Sequence, residues 1–141
     1  MAAEPGCGHS RAMRSRQAPL KVFIVDDSVL IRDRVAAMLE ASAISVVGRA
    51  ATPQEAIDGI LVASPDVVVL DVQLEGGSGL QVLRTVRHAA PDIAFVVFSS
   101  NSGPAYRKRY FREGAEAFLD KSTEFDQLVP TVAKASRYVA C

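Results

Sequence analysis

The chain has 141 residues, enough for one domain with one core, and its sixteen basic residues balance sixteen acidic ones for a formal net charge of zero. A hydrophobic share of 49% with 23% charged residues excludes a disordered chain, and the absence of net positive charge disfavours a domain that grips nucleic acid across its whole surface. The longest apolar runs are four to six residues. They fall far short of the roughly 18 residues of a membrane span, and residues 1–20 lack a secretion signal's apolar core, so a cytoplasmic location is expected.

Residues 1–19 hold Pro5, Gly6, Gly8, Ser10, Ser15 and Pro19 with no apolar periodicity. They read as a disordered basic tail. Arg11, Arg14 and Arg16 against Glu4 give it a charge of +2, which leaves −2 for residues 20–141, the expected folded domain. Cys7 and Cys141 stand at opposite ends of the sequence and are expected as free thiols.

From Lys21 onward strand and helix signals alternate. KVFIV (21–25) is a short apolar run rich in β-branched residues. Residues 28–41 place Val29, Leu30, Val35, Met38 and Leu39 near one helical face. ISVVGRA (44–50) is a more mixed strand. Thr52-Pro53-Gln54-Glu55 forms a capping box, followed by Ala56, Ile57, Ile60 and Leu61 on one face. VVVL (67–70) is a buried-type strand. Ser78 with Gln81 can cap a helix running to about Ala89, with Leu80, Leu83 and Val86 inward. IAFVVF (93–98) is the fourth strand. Ser102-Gly103-Pro104 opens a helix that Gly114 ends, Ala115 to Leu119 forms a fifth strand, and Ser122 or Thr123 caps a last helix. Five such units predict an α/β fold with a mostly parallel five-stranded sheet and helices on both faces.

In open α/β sheets ligands bind at the carboxyl ends of the strands. The residues expected there are Asp26-Asp27, Asp71, Ser99-Ser100 and Asp120-Lys121. Taken singly each has a plain reading: a helix cap for Asp26-Asp27, a turn for Asp71 or Ser99, a solvated side chain for Lys121. Together at one edge they form a chemical set. Three clustered carboxylates repel unless a hard cation joins them, and Mg²⁺ accepts such ligands while keeping room for a phosphate oxygen. A carboxylate beside it can act as a nucleophile and form an acyl phosphate, with lysine and hydroxyl groups neutralising the phosphoryl charge.

FIVDDS (23–28), VVVLDVQLEGGSGLQVL (67–83), VVFSS (96–100) and AFLDKS (117–122) resemble the response-regulator receiver domain of two-component signalling. The resemblance covers about residues 20–140, and the separations of 44 from Asp27 to Asp71, 28 from Asp71 to Ser99 and 22 from Ser99 to Lys121 suit that family. It implies the flavodoxin-like strand order 2-1-3-4-5. It implies Asp71 as the phosphoacceptor from a histidine kinase or phosphotransfer protein. Asp27 and Asp71 then become Mg²⁺ ligands, with the Gln73 backbone carbonyl as a third and Asp26 acting through water. Ser99 is the implied switch hydroxyl and Lys121 the phosphoryl-pairing lysine. Phe118 is the implied switch aromatic, whose ring turns inward once the hydroxyl moves; a plain core aromatic is the other reading.

Several positions depart from the family pattern. Glu75 replaces a usual proline, although Gly76, Gly77 and Gly79 keep the loop's turn capacity. Ser122 replaces the proline after the lysine, so a trans bond is expected. Pro130 falls inside the predicted last helix and calls for a kink or a late start. Gln73 and Asn101 stand two residues after Asp71 and Ser99, where the family tunes phosphoryl lifetime.

No effector region follows the receiver-like segment, so a single-domain receiver is expected, with output through docking or dimerisation. Residues 103–114 carry four bases and one acid. In the family the fourth helix, fifth strand and fifth helix form the output face, and this basic helix would suit an acidic partner or a second receiver. Nucleic acid is disfavoured, because one short patch lacks a reading module. Two other readings are a docking-only pseudo-receiver and a Mg²⁺-dependent aspartyl-phosphate phosphohydrolase. The intact acidic, hydroxyl and lysine set disfavours the first. The adjacent acid pair and Gln73 two residues from Asp71 disfavour the second, leaving a protein that catalyses only its own phosphorylation and dephosphorylation.

Overall fold

The computed structural model describes residues 19–139. The predicted tail lies outside these residues except for Pro19, as do Cys7 and Cys141. Five parallel strands form one sheet: β1 (Lys21–Val25), β2 (Ser45–Ala50), β3 (Val67–Leu70), β4 (Ala94–Ser99) and β5 (Ala117–Asp120). Their order is β2-β1-β3-β4-β5, the flavodoxin-like arrangement. The helices are α1 (Val29–Ala41), α2 (Pro53–Ala63), α3 (Gly79–Ala89), α4 (Pro104–Arg112) and α5 (Leu128–Val139).

Alternating strand residues feed two cores. Phe23, Val25, Val68 and Val97 join the core under α2, α3 and Tyr110 of α4. Val22, Ile24, Val69 and Val96 join the core under α1 and α5. Every residue of β3 and β4 is buried, which explains their unbroken apolar runs. At Gly48 in β2 and Gly59 in α2 an added Cβ would approach the Phe23 ring to 2.4 and 2.7 Å, so two bare backbones make room for that ring.

The helices refine the predicted faces. Val29 and Leu30 are 58% and 80% exposed, whereas Val35, Ala36 and Leu39 are buried. At roughly 100° per residue the first two stand well around the helix from Val35, so they face solvent and not the core as the sequence predicts. Leu61 is likewise exposed beside fully buried Ile60. On α3 the buried set includes Val82, and Leu80 is only half-buried.

Caps follow the same pattern of partial agreement. The Glu55 N–H donates to Thr52 Oγ1 at 3.2 Å, and the Glu55 carboxylate accepts from the Ala51 N–H at 3.2 Å. Ser78 occupies the N-cap position of α3 without a side-chain cap bond. Neither Ser122 nor Thr123 caps the last helix; they lie in a turn, followed by a 3₁₀ turn at Phe125–Gln127. α5 starts late, at Leu128, which places Pro130 in its first turn, where backbone N–H groups lack intrahelical partners anyway. No peptide bond among the described residues is cis, so Lys121–Ser122 is trans as expected.

Candidate functional site

β1 and β3 end level with each other, and β4 and β5 end level two residues further on. Val25 pairs with Leu70, Leu70 with Val97, and Ser99 with Asp120. This register delivers Asp26 and Asp27 after β1, Asp71 after β3, Ser99 at the end of β4 and Lys121 after β5 to one edge. Asp27, Asp71, Gln73, Ser99, Asn101 and Lys121 line an open pocket of about 280 Å³ there. Asp26 is buried beside it.

The loop after β3 is shaped by close backbone contact. Gln73–Leu74 and Gly77–Ser78 form a two-residue antiparallel ribbon that the sequence reading did not anticipate. Gly76 takes a φ of +82° in its turn, a value glycine adopts without strain. The ribbon returns the chain so that Gly79 N–H donates to Val72 O at 2.7 Å. A Cβ at Gly79 would lie 2.1 Å from the Asp71 carbonyl oxygen, so only glycine fits there.

Lys121 is the counter-ion of the cluster. Its Nζ lies 2.6 Å from Asp26 Oδ2 and 2.9 Å from Asp71 Oδ2. Asp26 Oδ1 also accepts the Ser28 N–H at 2.9 Å, and Asp71 Oδ1 accepts the Val72 N–H at 2.7 Å. Burial pushes the Asp26 carboxyl above its ordinary value, reinforced by the Asp71 charge and only partly offset by Lys121. Burial alone would lower the Lys121 ammonium, but its hydrogen bonds to the two carboxylates outweigh that and hold it above the ordinary lysine value.

Oxygens of Asp26, Asp27 and Asp71 lie within 4.8 Å of one another, with Asp27 exposed and the other two buried. One ammonium leaves this set short of positive charge, and an all-oxygen donor set suits a hard divalent cation such as Mg²⁺. The residues therefore fit the ion.

Ser99 is buried, and its Oγ accepts the Asn101 N–H at 3.0 Å. Asn101 Nδ2 donates to Gln73 Oε1 at 3.2 Å, joining the two positions that follow Asp71 and Ser99. Phe118 stands behind the pocket, not in its lining. Its ring is buried edge-on to Tyr110, with centroids 6.0 Å apart.

A group of contacts beyond the predicted set was missed. The Ser102 hydroxyl donates to Asp120 Oδ2, Asp120 N–H donates to Glu124 Oε1 at 2.9 Å, and Arg107 reaches across from α4. The available signal was spacing: Arg107 precedes Tyr110 by three residues and so shares its helical face. Arg32 Nη1 likewise holds the Asp26 carbonyl at 2.6 Å.

The parallel sheet, its order and the acidic edge define a class of signalling domain. Residues 22–133 match the response regulator receiver domain, and the chain belongs to that family. It is 37% identical over 105 residues to a protein-glutamate methylesterase/protein-glutamine glutaminase of Clostridium acetobutylicum, covering 72% of this chain and 30% of that protein. It is 31% identical over 114 residues to the DNA-binding transcriptional activator DevR/DosR of Mycobacterium tuberculosis, covering 80% of this chain and 52% of that protein. The chain thus spans about half or less of the length of both relatives. Among solved structures, the signal receiver domain of NarL from Mycobacterium tuberculosis superposes with a TM-score of 0.78 at 28% identity, over 85% of this chain and 98% of that one. Receiver domains of this family bind Mg²⁺ at an acidic pocket and take phosphoryl groups from histidine kinases or phosphotransfer proteins. Among the described residues no helix is long and apolar enough to cross a membrane.

Proposed function

We propose that this chain is a phosphorylatable signalling switch with Asp71 as its phosphoacceptor. The observation that carries the reading is the pair of buried carboxylates, Asp26 and Asp71, bridged by Lys121 beside exposed Asp27. An Asp71 carboxylate oxygen attacks the phosphorus of a donor phosphohistidine. The phosphorus–nitrogen bond breaks, its electron pair returns to the imidazole, and an acyl phosphate remains on Asp71.

Asp27, Asp71 and the Gln73 carbonyl would hold Mg²⁺, with Asp26 acting through water; bound there, the ion supplies charge neutralisation for the transferring phosphoryl. Lys121 releases one carboxylate contact to pair with a phosphoryl oxygen. The Ser99 hydroxyl turns to bind another. That movement is read by Phe118 and by the face of α4, β5 and α5. Exposed Lys108, Arg109 and Arg112 on α4 suit an acidic partner or a second receiver. The chemistry is confined to the protein's own phosphorylation and dephosphorylation, in the cytoplasm.

The test is incubation with Mg²⁺ and acetyl phosphate, read by intact mass. Wild type is expected to gain one labile phosphoryl group and Asp71→Asn none. Label that persists in Asp71→Asn overturns the assignment.

A further inference from the structure

Of the four basic residues on α4, Lys108, Arg109 and Arg112 are exposed, whereas Arg107 is half-buried and turned toward the sheet. Its guanidinium makes four contacts. Nε donates to Ser102 O at 2.9 Å and Nη1 to Phe118 O at 3.0 Å. Nη2 lies 3.5 Å from Glu124 Oε1, and the group sits 5.1 Å over the centre of the Phe118 ring. A planar fork with five donors spreads its hydrogen bonds over three nitrogens in a fixed geometry, whereas a lysine offers three donors from a single point.

These contacts close a ring. Glu124 Oε1 also accepts the Asp120 N–H at 2.9 Å. Asp120 accepts the Ser102 hydroxyl through Oδ2 and the Ser122 N–H at 2.7 Å through Oδ1. Ser102 returns to Arg107 through its carbonyl. The ring therefore joins the segment that follows Ser99 at the end of β4 to the loop that carries Lys121 after β5. Lys121 N–H donates to Ser99 O at 3.1 Å, so the two phosphoryl-facing positions share a direct bond inside the ring. Asp26, Asp27 and Asp71 arrive from β1 and β3 and stand outside it.

We infer that Arg107 is a positioning residue for phosphoryl transfer: by tying the Ser102 and Phe118 carbonyls to Glu124, it sets where Ser99 and Lys121 stand against Asp71. The inference rests on the phosphoacceptor reading above. The ring separates two tasks by element. The metal-facing carboxylates follow β1 and β3, and the phosphoryl-facing groups stand at the end of β4 and just after β5. Loosening the ring should therefore disturb one task and spare the other.

The test compares Arg107→Met, which keeps an unbranched apolar stem, with Ser102→Ala, which opens the ring at its opposite side. Phosphorylation is followed by intact mass with acetyl phosphate and saturating MgCl₂. In that step the bond from phosphorus to the acetate oxygen breaks, acetate leaves with the electron pair, and Asp71 forms the new oxygen–phosphorus bond. Mg²⁺ affinity is measured separately by calorimetric titration with MgCl₂.

Both variants are expected to bind Mg²⁺ as wild type does while labelling on the order of ten-fold more slowly, because a displacement of about 1 Å in a phosphoryl-facing group costs that much or more. If Arg107→Met fails to fold, Arg107→Lys, which keeps the charge but loses the fork, takes its place beside Ser102→Ala. Labelling at the wild-type rate overturns the inference. So does a loss of Mg²⁺ affinity in step with the rate, which would mark a general loosening of the fold. A labelled wild type with unaffected variants sinks only the role of Arg107; a wild type that takes no label sinks the phosphoacceptor reading, and this inference with it.

Discussion

Lys121 Nζ lies 2.9 Å from Asp71 Oδ2, and the same ammonium is 2.6 Å from Asp26. Replacing it by an uncharged stem, as in Lys121→Met, leaves two buried carboxylates facing each other. Removing one partner of a buried pair is expected to cost about 3 kcal/mol of stability in Mg²⁺-free buffer. Added MgCl₂ should then restore more stability to the variant than it adds to wild type, since it replaces the lost cation. Urea denaturation with and without MgCl₂ measures both effects; a variant as stable as wild type without the metal contradicts the charge argument.

Asp26 gives the pH dependence. Its folded carboxyl sits above the ordinary value of 3.8, chiefly because it is buried. A raised carboxyl contributes stability that is full below the unfolded value and is lost as pH rises through the folded one. Asp26→Asn removes the charge but keeps an acceptor for the Ser28 N–H. The variant is therefore expected to outlast wild type in Mg²⁺-free buffer at neutral pH. The gap should close as pH falls below 3.8, where the Asp26 carboxyl is protonated in the folded and unfolded states alike. Melting curves across that range decide it. A gap that widens in acid would reverse the sign.

Gly79 carries the steric prediction. A methyl group there meets the Asp71 carbonyl oxygen at 2.1 Å and its carbon at 3.1 Å, and these backbone atoms cannot swing aside as a flexible side chain would. Gly79→Ala is expected to lose about 2 kcal/mol and to slow labelling of Asp71, because relief of the clash moves the phosphoacceptor's own peptide. At Gly103 nothing lies within 4 Å of an added Cβ, so Gly103→Ala makes a control in the same assays.

Tyr110 supplies an alkaline prediction. Burial pushes its phenol up to about 12 from the ordinary 10.0. Its contribution to stability is complete below the unfolded value and disappears as pH rises between the two. Wild type should therefore lose stability faster than Tyr110→Phe above about pH 10, while the two run parallel at neutral pH. Denaturant midpoints across this window measure the divergence.

The sheet was legible because its strands are buried on both faces and read as unbroken apolar runs such as Val67 to Leu70. The acidic edge was legible because Asp26, Asp71 and Lys121 each lie directly after a strand. What escaped notice depends on elements far apart in sequence. Leu30 reads as a core residue until the sheet position shows that its side of α1 meets solvent. Arg107 reads as surface charge until α4 is laid beside β5. Ser102 reads only as part of a helix start, yet its hydroxyl goes to Asp120 while Gly103 takes the N-cap position. Short-range pattern fixes what a residue prefers, and tertiary neighbours decide which preference is met.

The fixed register of the strand ends makes this edge a datum line. A residue inserted between Val25 and Asp26, or between Leu70 and Asp71, would carry a carboxylate about 3.3 Å past its neighbours and turn it to the other side. The opposite edge has no such ruler. Its turns, including left-handed Ala43 and Ser64, carry none of the groups that line the pocket. The molecule is dimensionally strict at one rim and permissive at the other.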